Sequence, residues 1–127
     1  IRLVESLPSS YTARHVGGQL LRAGTSVGAN YRAACRGRTQ AEFLAKLGIV
    51  EEECDESIYW MEVLIEAGIM KKPRLDALMA EGNEILSIVV ASSNTARGGA
   101  RTSSQLRTRK SAIRNPQSAI GRETARA

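Results

Sequence analysis

The sequence predicts an all-α protein, an antiparallel up-and-down four-helix bundle, and three observations carry that expectation. Apolar residues recur at three- and four-residue intervals along three long stretches. The breaks between those stretches hold Pro, Gly and Ser/Thr in the positions that stop and start helices. No segment alternates apolar with polar residues as a half-buried strand does. A chain of 127 residues that is only 4% aromatic suits one modest core of Leu, Ile, Val, Ala and Met.

The first helix is short. Ile1 to Leu7 is apolar at Ile1, Val4 and Leu7 and is stopped by Pro8, and because the chain opens on Ile1 instead of Met it reads as the end of a longer helix. Ser9 and Ser10 then offer N-caps for a second helix of about residues 10–34. Along it Val16, Leu20, Ala23, Val27 and Ala34 form one apolar seam, and Gly17, Leu21, Gly24, Gly28 and Cys35 form another beside it. Interior glycines weaken a helix, so the spacing of Gly24 and Gly28 predicts close approach by a neighbouring helix.

Arg36, Gly37 and Arg38 make the next turn, and Thr39 with Glu42 reads as a capping box for helix three. Phe43, Leu47, Val50, Cys54, Ile58, Met61 and Ile65 then hold helical spacing up to Gly68, which suits a C-terminal cap. Pro73 fits the first turn of helix four, whose buried stripe is Leu75, Leu78, Ile85, Leu86 and Val89. The bundle domain is expected over residues 1–94.

Charge divides the chain at the same place. Through Asn94 ten basic residues face twelve acidic ones; beyond it eight Arg or Lys oppose only Glu123. Residues 95–127 are therefore expected to be a basic, disordered tail, because Arg, Ser, Thr and Gly without any aromatic bury too little apolar surface to offset chain entropy. Such a tail either attracts phosphates by counterion release or serves as a solubilising extension. Within it, Ser111 to Gln117 is nearly repeated by Ser118 to Gly121, which reads as translated repetitive DNA and is too short for a repeat fold.

Chemistry is sparse. A di-iron bundle needs a Glu-x-x-His pair on each of two helices, but the single His15 has Thr12 three residues before it. There is no Cys-x-x-Cys and no phosphate-binding glycine loop, and Gly17 and Gly18 lie within a helix. No catalytic, cofactor or metal site is expected, nor a small-molecule substrate. Cys35 and Cys54 lie too far apart along the proposed hairpin for a disulfide, so both are expected as reduced thiols packed like small apolar groups. The longest apolar run, Ile85 to Ala91, falls well short of the about 20 residues that span a bilayer, and no leader is visible, so a cytoplasmic protein without membrane contact is expected.

A polar stripe completes helix two. Gln19, Arg22, Ser26 and Asn30 follow one another at helical spacing, and pairing helices two and three about the turn places Arg22 opposite Glu53 and Gln19 opposite Glu56. These six residues are expected to form a partly buried network that fixes helix register more than it adds stability.

That arrangement resembles the 23S ribosomal RNA intervening-sequence proteins, a bacterial family of four-helix bundles. The resemblance covers about residues 16–92 and rests on Arg22, Ser26, Val27, Asn30, Glu42, Phe43, Leu47 and Glu56. The chain departs from the family in its short first helix and in Arg32 to Gly37, where many members carry Glu-Gly after the Asn. The resemblance implies a homo-oligomer, since some members form ring-shaped pentamers, and a non-catalytic scaffold. A related branch, the accessory proteins of retroelement reverse transcriptases, binds nucleic acid through a basic bundle surface. Here RNA or DNA would have to meet the Arg32, Arg36 and Arg38 cluster or the tail.

Overall fold

The computed structural model describes the backbone of residues 1–114 and the side chains of residues 1–98. Four α-helices follow in order: α1 Arg2–Glu5, α2 Tyr11–Cys35, α3 Gln40–Glu66 and α4 Asp76–Arg114, with a 3₁₀ turn Lys72–Arg74 before the last. There is no strand among the described residues.

Local chemistry sets each boundary. The Ser10 hydroxyl accepts from the Ala13 N–H at 3.2 Å, and the Thr39 hydroxyl accepts from the Glu42 N–H at 3.1 Å. Glu42 reaches back one residue further than a standard capping box, its Oε2 accepting from the Arg38 N–H at 2.8 Å. Helix α3 ends at Gly68, whose φ of 66° is the left-handed conformation that favours glycine. There the Gly68 N–H donates to the Ile65 carbonyl and the Ile69 N–H to the Leu64 carbonyl, each at 3.0 Å, the paired bonds of a Schellman motif. Pro73 sits in the 3₁₀ turn, one step ahead of α4, and not in that helix's first turn as the sequence suggested. The turn satisfies the Leu75 N–H on the Lys72 carbonyl before the α-helical pattern begins.

The chain divides into two units, Ile1–Ser93 and a second beginning at Asn94. In the first unit the core has two parts. One joins Val16 and Leu20 of α2 to Ile58, Met61 and Leu64 of α3, closed by Met70 and Leu75. The other joins Ala34 to Leu47, Val50 and Val89. Val4 of α1 and Leu7 just after it pack onto Gly17, where a Cβ would lie 2.8 Å from Leu7 Cδ1. Helices α3 and α4 come close at Gly82: a Cβ there would stand 3.1 Å from Ile58 Cγ1, and its carbonyl accepts from the Cys54 thiol at 3.2 Å.

Four expectations are corrected. The second seam of α2 is buried only at Gly17, while Leu21, Gly24, Gly28 and Cys35 are exposed, and a Cβ on Gly28 would meet open space. The short α1 packs against the first turns of α2 at Gly17. In α3 the residue after Met61 that faces inward is Leu64, fully buried, and not the half-buried Ile65, because the step there is three residues. Leu78 is 41% exposed; Met79 packs on the core in its place. Finally, residues 95–114, expected to be disordered, continue α4 as far as Arg114. No proline interrupts that stretch, the next after Pro73 being Pro116, and its Ala, Arg, Gln, Leu and Lys are good helix formers. The remainder of the tail, with most of the near-repeat, lies outside the described residues.

Candidate functional site

The face shared by α2 and α3 holds the most developed polar cluster. Both helices are long, start at hydroxyl caps and are joined by a short turn, so their register fixes which side chains meet. Arg22 of α2 donates through Nη1 to Glu53 Oε2 at 3.1 Å and Oε1 at 3.3 Å, and through Nη2 to Glu56 Oε1. Gln19 is within the cluster but bonds Arg22 itself, its Oε1 accepting from Nε at 3.3 Å, and not Glu56. One guanidinium thus spans two carboxylates a helical turn apart, a geometry suited to its planar array of donors.

The cluster is less sheltered than expected. The Arg22 side chain is 47% exposed, against 36% for Glu56 and 18% for Glu53. Glu56 is nevertheless held below the usual carboxylate range, first by the Arg22 hydrogen bond and then by the Trp60 indole, against the opposing effect of burial. Arg22 is pushed up, chiefly by its bond to Glu56.

Sequence reasoning missed Trp60, the only tryptophan of the chain. Its indole N–H donates to Glu56 Oε1 at 3.0 Å. Its ring meets His15 edge-on with centroids 6.2 Å apart, and Tyr59 in the same manner at 5.0 Å. The four-residue step from Glu56 to Trp60 was the available signal. His15 is an exposed helix residue set against an aromatic ring.

Ser26 and Asn30 do not join the cluster. Asn30 Nδ2 donates to the Ser26 backbone carbonyl at 2.9 Å, a bond within α2. With Arg22 opposite Glu53, the antiparallel register sets Ser26 and Asn30 against Ile49 and Ala45, which offer no polar side chain.

The three arginines of the basic turn occupy the other end of the same pair of helices. Arg32 lies in the last turn of α2, Arg36 caps that helix and Arg38 lies in the loop; all are exposed, and none forms an ion pair among the described residues. Tyr31, adjacent to Arg32 in the chain, is 54% exposed and its hydroxyl is pushed up by a hydrogen bond with Cys35. Both cysteines are free: Cys54 is buried as expected, and burial pushes its thiol up, whereas Cys35 is exposed because its seam is uncovered. Among the described residues no group of three or more His, Cys, Asp and Glu is placed to hold a metal ion, and no helix is long and apolar enough to cross a membrane.

A comparison with curated proteins gives no match. Among solved structures the chain is similar to a protein of unknown function from the S23 ribosomal protein family of Bacteroides thetaiotaomicron VPI-5482. The two share 33% identity with a TM-score of 0.59, over 60% of this chain and 70% of that one. The sequence also matches the family described as 23S rRNA-intervening sequence protein over residues 1–91, the span that includes α1, the α2–α3 pair and its arginine cluster. On that match and the all-helical architecture, the chain belongs to the 23S rRNA-intervening sequence protein family.

Proposed function

We propose that this protein is a non-catalytic, homo-oligomeric scaffold. The observation that supports the reading is where the tyrosines lie: all three in the chain, Tyr11, Tyr31 and Tyr59, are more than half exposed. Ile88 adds an exposed apolar side chain at 58%. Tyrosine on a surface supplies rigid contact area with a polar tip, the composition that protein–protein interfaces favour. A small chain with few aromatics leaves such groups in water only at a cost that self-association removes. Sedimentation equilibrium of the full chain at micromolar concentration tests the reading, with an oligomer expected and a pentamer among the allowed sizes.

A second reading, an accessory protein that binds nucleic acid, is favoured by one arrangement. The Arg32, Arg36 and Arg38 side chains stand exposed and form no ion pair among the described residues, and Tyr31, adjacent to Arg32 in the chain, is exposed as well; cations and an aromatic ring at one end of a helix suit a single strand. Titration of labelled single-stranded RNA against the full chain and an Arg36→Ala, Arg38→Ala variant tests it; equal binding by both assigns any affinity to the basic residues beyond Asn94.

A further inference from the structure

The outward side of α3 carries an acidic line that meets no counter-charge. Glu52, Asp55, Tyr59, Glu62 and Glu66 follow one another at steps of three and four residues and are all exposed, so they share one face over about 21 Å of helix. None of the four carboxylates forms an ion pair among the described residues, and the chain has no Lys or Arg between Lys46 and Lys71. Glu53 and Glu56, turned toward α2, are by contrast met by Arg22.

Two features make this line unfavourable for α3 alone. Glu52 with Asp55 and Glu62 with Glu66 are like charges three and four residues apart, which repel across a helix turn. Glu66 also stands in the last turn of α3, which holds no basic residue, and there a negative charge opposes the helix dipole. A cationic partner removes both effects. The same sequence contains one: residues 101–114 hold Arg101, Arg107, Arg109, Lys110 and Arg114 without any acidic residue, and as the last part of α4 they extend about 20 Å, the length of the acidic line.

We infer, on the self-association reading above, that the outward face of α3 is a docking surface for the basic segment 101–114 of a second copy of this chain. Guanidinium and ammonium groups of that segment pair with Glu52, Asp55, Glu62 and Glu66. Tyr59, 53% exposed in the middle of the line, gives a guanidinium a ring face to stack on. Each exposed pair is weak by itself, so the contact depends on several together and weakens as salt rises.

A charge swap in the full chain tests this. One variant carries Glu52→Lys, Asp55→Lys and Glu62→Lys, the other Arg107→Glu, Arg109→Glu and Lys110→Glu. Sedimentation equilibrium at micromolar concentration follows each alone and the two mixed in equal amounts. The native chain is expected to associate, and to dissociate in part as salt is raised from about 0.05 M to about 0.5 M. Each variant alone should associate about tenfold or more weakly, the scale of three exposed pairs turned from attraction to repulsion, and the mixture should recover the native association. Glu52→Gln, Asp55→Asn and Glu62→Gln together should weaken association in the same direction, and this variant decides if the Lys variant loses its helicity by circular dichroism. A native oligomer that both variants form at full strength overturns the assignment and leaves the scaffold standing, whereas a native monomer at both salt concentrations overturns both. Weakening in each variant without recovery in the mixture means that the acidic line meets some other basic surface, and overturns the second copy as its occupant.

Discussion

Arg22 bridges two carboxylates of the facing helix, and one of them, Glu56, also takes the Trp60 indole hydrogen. Its removal strands Glu53, the more sheltered acid, so Arg22→Ala is expected to lower the melting temperature more than Arg32→Ala, whose side chain carries no such bond. Equal losses in thermal melts would mean that water replaces the bridge at no cost. Glu56 adds a pH signature. Its folded pKa lies below the unfolded value of about 4.3, so the unfolded chain binds more protons between the two. Stability from this group is complete above that range and is lost as pH falls through the folded value. The melting-temperature gap between the native chain and Glu56→Gln should therefore be present at pH 7 and close as pH falls through the lowered folded value. The Arg22–Glu53 pairing was legible in the sequence because two caps and a short turn fix the register. Trp60 was legible only as a four-residue step from Glu56; its contacts with His15 and Tyr59 depend on a ring orientation that spacing does not give. The local bond of Asn30, which satisfies the side chain within its own helix, was not legible.

At the scale of the helices, boundaries were legible where a cap writes them locally: Ser10, Thr39 and Gly68 act as their chemistry requires. Which faces would be covered was not, since that depends on the length of the neighbours and not on the helix itself. Two glycines separate these cases. Gly68→Ala forces a side chain into the left-handed region and should cost about 1–2 kcal/mol. Gly28→Ala, in open space within α2, should instead stabilise the folded chain by up to about 1 kcal/mol. Urea denaturation of both variants checks the pair of signs. If Gly28→Ala destabilises while oligomer size also falls, the α2 face is packed against another copy. The continuation of α4 to Arg114 shows the limit of composition as a guide: low apolar content predicted disorder, but the stretch has no proline to stop the helix and its Ala, Arg, Gln, Leu and Lys are good helix formers.

For the whole molecule, the family's architecture and the split of charge lead to different surfaces. The residues through Asn94 carry more acid than base, so phosphate is attracted overall only by the residues beyond it, with the turn arginines as a local exception. If the basic residues beyond Asn94 bind nucleic acid, affinity should be independent of sequence and fall steeply with salt, and truncation after Asn94 should remove it. If the turn binds, truncation should leave most of it, and Arg36→Ala with Arg38→Ala should not. Titration of labelled RNA and DNA at two salt concentrations separates these outcomes. The scaffold reading rests on exposed tyrosines, and its direct measurement is sedimentation equilibrium of the full chain beside a variant with Tyr11, Tyr31 and Tyr59 changed to Ser. An oligomer for the native chain and a shift toward monomer for the variant, with helicity retained by circular dichroism, is the expected result. A native chain that sediments as a monomer across the micromolar range would contradict it.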